Sequence, residues 1–166
     1  MTTSTALTTQ VHQIYINTTA QRLWDAITGS EWSTRYGYAA LTEYDLRAGG
    51  RYAVAATEEM RAHGAPEIII QGEVLEADPP RKLVQTWHAL FSPATAAEGP
   101  RRLTWEIDEV SDGVCRLTVT HDVTDAPETA SLIAGTSPQA GGGWAMIISD
   151  LKSLLETGSS MFAKGA

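Results

Sequence analysis

The chain has 166 residues, 43% hydrophobic and 19% charged, with 12 Lys and Arg against 20 Asp and Glu for a net charge of −8. That length suits one domain with a sizeable core, and the composition is globular rather than disordered. An acidic chain whose close basic pairs are only Arg81-Lys82 and Arg101-Arg102 has no stripe for phosphate backbones or anionic lipid, so neither nucleic acid nor a membrane is expected as a partner.

A single cysteine, Cys115, excludes an internal disulfide and a cysteine-type zinc site. The Thr-rich start lacks the basic and apolar regions of a leader, and no run approaches the roughly 20 apolar residues of a membrane helix. The resulting expectation is a cytoplasmic protein.

Residues 1–9 read as a flexible tail. Val11, Ile14 and Ile16 mark a first strand. Thr18 to Gln21 reads as a capping box opening a helix with Leu23, Trp24 and Ile27, stopped by Gly29. Ser30 begins a second short helix through Tyr36. Strands follow over 41–46 and 51–57, separated by a Gly49-Gly50 turn. Another runs over 67–77 until Asp78-Pro79-Pro80 breaks it, and the next over 82–90. Residues 92–100 read as a loop. Strands 102–110 and 114–123 form a hairpin across Ser111-Asp112-Gly113.

Ser137-Pro138 then predicts the start of a long last helix. Its apolar stripe is Trp144, Ile147, Ile148, Leu151, Leu154 and Leu155, with Asp150, Lys152, Ser153 and Glu156 facing elsewhere. Gly141-Gly142-Gly143 lowers helix propensity by roughly 1 kcal/mol per residue, and close helix-to-sheet approach is the favoured reason, ahead of flexibility at a cavity mouth. The order is therefore strand, two helices, six strands, helix. This is an α+β chain whose curved antiparallel sheet of about seven strands wraps the last helix.

Two segments carry a family resemblance. Residues 72–87 (GEVLEADPPRKLVQTW) resemble the signature of the AHSA-type proteins, homologues of a heat-shock chaperone ATPase activator within the START-like (SRPBCC) helix-grip superfamily. Gly142-Gly143-Trp144 with residues 151–158 (LKSLLETG) resembles the closing helix of that family. Residues 23–28, 46–52 and 117–121 add to the likeness, which extends over about residues 11–158. The resemblance implies a helix-grip fold over residues 10–158, with residues 159–166 as a C-terminal tail. It implies a cavity-forming scaffold rather than one reaction.

No catalytic constellation emerges from the residues. His12, His63, His88 and His121 sit on four segments without ligand spacing, so no metal is expected. No dinucleotide fingerprint, phosphate loop or nucleophile elbow occurs, so no cofactor is expected. His121 shares a face with Cys115, Leu117 and Val119, and reads first as a core histidine. The direction of His88 stays open.

The aromatics form the more coherent signal, because five tryptophans give large, weakly specific surface with an N–H handle on each. Trp24 and Trp105 are assigned to the core. The expected ligand-binding set is Trp32, Tyr36, Tyr52, Trp87, His121, Trp144 and Ile148, lining a cavity between sheet and last helix. The leading functional expectation is non-catalytic binding of a small apolar or amphipathic molecule. Alternatives are a cyclase- or hydrolase-like enzyme with His121 as acid/base, and a chaperone cofactor. A homodimer is compatible with each.

Overall fold

The computed structural model describes residues 8–137 and 141–162. Its strands are β1 (Thr9–Ile16), β2 (Thr42–Tyr44), β3 (Arg51–Ala55), β4 (Ile68–Asp78), β5 (Lys82–Ala89), β6 (Arg101–Ser111) and β7 (Val114–Asp122). They form one antiparallel sheet in the order β1-β7-β6-β5-β4-β3-β2, with β1 and β2 at its edges. Its helices are α1 (Ala20–Thr28), α2 (Ser30–Ser33), α3 (Glu58–Ala62), α4 (Pro93–Glu98), α5 (Pro127–Ala134) and α6 (Gly143–Thr157).

Period-two patterning sets the inner face. Cys115, Leu117, Val119 and His121 of β7 are fully buried while the residues between them are partly exposed. On the neighbouring strand Leu103 pairs with His121, Trp105 with Val119 and Ile107 with Leu117. From the other side, Ile14 and Ile16 of β1 pair with Leu117 and Cys115. Register shifts at Val54/Ala55, Val74/Glu76 and Glu109/Ser111 increase the local twist. The sheet therefore curls, and the stripe of α6 (Trp144, Ile148, Leu151, Leu155) completes the core on its inner face.

Several expectations need correction. The first helix is capped by Thr19, whose side chain accepts from the Arg22 amide, while Gln21 donates to Asp25; the Thr18–Gln21 box is one residue out. The second helix ends at Ser33, short of Tyr36. Helices α3, α4 and α5 are additional to the expected order. The Pro- and Gly-containing segment read as a loop holds α4, begun by a Ser92/Thr95 capping box. Helix α5 starts with Pro127 and stops at Gly135 in the left-handed conformation. Its missing cap is supplied from afar, because the Glu98 carboxylate accepts from the Glu128 and Thr129 amides and the Thr129 hydroxyl at 2.6–2.8 Å.

Pro138 lies outside the described residues, and α6 begins only at Gly143. Gly143 has φ +66°, and a Cβ there would run into the Ile133 carbonyl and the Gly135 amide. The close approach is thus between α6 and the end of α5, not between helix and sheet. Asp150 is also not on the solvent side. It is fully buried, and its carboxylate accepts from the Gly37 amide (2.8 Å), the Ser160 hydroxyl and the Met161 amide (2.6 Å).

Replacing Gly143 with Ala should destabilise the fold by about 1–3 kcal/mol, from strained backbone and the collision with α5. Asp150→Ala should lower stability by about 2–3 kcal/mol, because two amides and a hydroxyl lose their acceptor. Urea unfolding of each variant checks both values, and a wild-type midpoint in either case refutes the corresponding packing role.

Candidate functional site

Between the inner face of the sheet and helices α5 and α6 lies a cavity of about 350 Å³. Six aromatic side chains dominate its wall: Tyr36, Tyr44, Tyr52, Trp87, Trp105 and Trp144. Each is placed by a local rule. Tyr52 and Val54 fall on one face of β3 by alternation, and Tyr44 on β2 stands directly opposite Tyr52, with ring centroids 4.6 Å apart. Trp87 and Trp105 come from β5 and β6, and Trp144 from the first turn of α6. Ile27, Ile69, Ile133 and Ile147 fill the wall between them. At the rim, Tyr38, Phe91 and Glu128 are exposed.

One buried amide organises the polar side of this wall. Gln85 has no exposed surface, and its Oε1 accepts from the Tyr44 hydroxyl (2.6 Å) and the Trp105 indole N–H (3.3 Å). The Tyr36 hydroxyl donates to the Ala26 carbonyl at 3.0 Å. The Tyr52 hydroxyl stands beside Tyr44, Gln85 and the Trp87 indole, although the Trp87 N–H is not aligned for a hydrogen bond. Burial pushes the phenols of Tyr36, Tyr44 and Tyr52 well up, so the wall carries no phenolate at neutral pH.

Behind the wall sits His121. Its Nδ1 accepts from the Trp144 indole N–H at 3.0 Å, so the neutral ring carries its proton on Nε2. Trp87 meets the imidazole edge-on, with centroids 4.9 Å apart and planes at 85°. Trp105 in turn meets Trp144 edge-on at 5.2 Å. Nε2 is buried without a hydrogen-bond partner, and burial drives the His121 pKa down to about 3. An imidazole this hard to protonate, with Nδ1 committed to Trp144, is built as a fixed neutral acceptor.

Of the residues singled out from sequence, Tyr36, Tyr52, Trp87 and Trp144 meet around the cavity, and Trp32, His121 and Ile148 lie outside its lining. Trp32 is partly buried with the guanidinium groups of Arg35 and Arg22 over its ring, 4.7 and 5.6 Å from the centroid. Ile148 packs in the core. Trp105, assigned to the core by sequence, is buried and also lines the cavity. His88 bonds through Nε2 to the Ala96 carbonyl of α4 at 2.8 Å. Sequence reasoning missed Tyr44, Gln85 and the α5 contributions. Pro127 followed eight residues later by Gly135 was the available signal for α5.

An antiparallel sheet curled around a long C-terminal helix, with a cavity between them, defines a helix-grip protein of the START-like class. The family described as Activator of Hsp90 ATPase homolog 1-like protein (AHSA1) matches residues 17–156, and the chain belongs to it. No curated protein sequence matches significantly.

Among solved structures, PFC0360w, an HSP90 activator from Plasmodium falciparum, has a TM-score of 0.54 at 23% identity, covering 69% of this chain and 72% of its own. CalU16 from Micromonospora echinospora has a TM-score of 0.63 at 18% identity, covering 90% and 77%. DynU16, from the dynemicin biosynthetic locus, has a TM-score of 0.65 at 17% identity, covering 93% of this chain and 49% of its own. These likenesses establish the fold. Among the described residues no helix is long and apolar enough to cross a membrane.

The His121 environment predicts a pH dependence. Below the unfolded pKa of about 6.5 the unfolded chain takes up a proton that the native imidazole refuses until about pH 3, so stability falls as pH drops through that window. The slope approaches about 1.4 kcal/mol per pH unit for one such group. Urea unfolding at successive pH values should show this loss, and His121→Gln should reduce the slope. An unchanged slope in the variant would remove His121 as its source.

Proposed function

We propose that this protein binds a small apolar or amphipathic molecule in the cavity between the sheet and α6, without a chemical step at His121. The observation that carries the reading is the aromatic wall, in which Gln85 fixes the Tyr44 hydroxyl and the Trp105 N–H, the Ala26 carbonyl the Tyr36 hydroxyl and His121 the Trp144 N–H. Such a concave, mostly apolar site with a handful of placed polar groups suits ligand capture. General acid/base work by His121 is not favoured, since its ring lies outside the lining and resists protonation down to about pH 3. An Hsp90-activator role draws support from the family description and from the Plasmodium neighbour, and takes second place because neither speaks to this cavity.

A thermal-shift screen against apolar and amphipathic compounds tests the proposal. A ligand at about 100 times its Kd should stabilise the native state by about 2.7 kcal/mol. For a chain of this length the midpoint should rise by about 5–10 °C. Ile147→Trp, which projects extra volume from α6 into the cavity, should keep the cooperative transition and lose the ligand shift. A ligand shift of full size in that variant would place binding elsewhere.

A further inference from the structure

The charges around the cavity are one-sided. Among the described residues that line it, Glu128 is the one charged side chain, and no Lys, Arg or His takes part. Glu128 is exposed, as are the rings of Tyr38 and Phe91 that line the same cavity. A second carboxylate, that of Glu98, holds the Glu128 amide at 2.8 Å. The nearby Arg101 guanidinium donates to the Glu98 carbonyl at 2.6 Å and does not line the cavity.

An anionic ligand entering this site has no cation to replace its hydration. Its charge meets the Glu128 carboxylate, which repels it, and an interior whose hydroxyls, those of Ser33, Thr42, Ser92 and Thr95 among them, carry no countercharge to offset desolvation. A cationic head group meets the opposite situation. Aromatic faces attract it, Glu128 attracts it, and an apolar tail can occupy the interior that Trp87, Trp105 and Trp144 line.

From this arrangement we infer that the cavity is selective for ligands bearing an amine on an apolar body, with the ammonium at the rim against Glu128 and the tail inside, and that it rejects the corresponding carboxylates. The inference rests on the cavity being the binding site and names the ligand class it takes.

Octylamine, octanol and octanoate share one tail and differ in head-group charge, so isothermal titration with the three at pH 7 and ~0.15 M salt separates the two claims. Octylamine should bind at least about tenfold more tightly than octanoate, with octanol between them, as expected when a desolvated anion finds no partner and a cation finds aromatic faces. Glu128→Gln should weaken octylamine by about threefold and leave octanol unchanged, the size of one partly screened charge contact. Glu109→Gln, which removes the same charge near the remote turn of the β6–β7 hairpin, should leave the amine affinity unaltered.

Octanol bound with octanoate at equal or greater affinity than octylamine would overturn the selectivity while leaving the cavity reading intact. An equal loss of amine affinity in Glu109→Gln and Glu128→Gln would also overturn it, by reducing the preference to net charge. No binding by any of the three would overturn both readings.

Discussion

The indole N–H of Trp144 meets Nδ1 of His121 where neither ring has appreciable contact with water, joining the first turn of α6 to the end of β7. Both groups are polar and buried, so each requires the other; an unpaired indole N–H or imidazole nitrogen in such a place carries a full desolvation penalty. The pairing fixes the His121 tautomer and orients the Trp144 ring. Trp87 and Trp105 are then packed edge-on against that pair. Three of the six aromatic side chains of the wall thus meet at one hydrogen bond, Trp144 as its donor and Trp87 and Trp105 packed against the pair. The hydrophobic stripe of α6 draws the helix onto the sheet, and this bond, with the close approach of Gly143 to the end of α5, seats its N-terminal end.

Most of the architecture was legible because it rests on periodicity. Strands that alternate, such as Leu103, Trp105 and Ile107, and a helix whose apolar residues recur every three or four positions, announce themselves without reference to anything distant. The short helices did not, since α4 and α5 depend on local capping and on Glu98 reaching across about thirty residues to the start of α5. The same limit applies to the site. Alternation places Tyr52 and Trp87 on particular faces, but whether an inward face meets a cavity or solid core depends on what the opposite helix presents. Ile147 and Ile148 are adjacent in one stripe, and one lines the cavity while the other is sealed in the core. Gln85 was invisible for a related reason: a buried glutamine acquires meaning only from Tyr44 and Trp105, which come from other strands.

Membership of the AHSA1 family and the likeness to structures below 25% identity establish the family and the fold within which this chain's cavity lies. They leave the contents of that cavity to this chain's own residues. Here the structural part of the pattern lies deep, in the His121–Trp144 contact and the isoleucine packing. The exposed part of the lining, at Tyr38, Phe91 and Glu128, stands on segments outside the sheet. Such a division lets those positions vary without disturbing the core beneath them.

The buried carboxylate of Asp150 joins two distant pieces of chain, since one oxygen pair holds both Gly37 in the segment after α2 and the turn at Ser160 and Met161. Tyr36, Gly37 and Tyr38 belong to the cavity wall. The wall and the last described turn of the chain are thus tethered to a single point on α6. Displacing the turn at Ser160 and Met161 removes two of the three donors from a carboxylate that also holds the cavity wall at Gly37, so the chain end and the wall share one anchor.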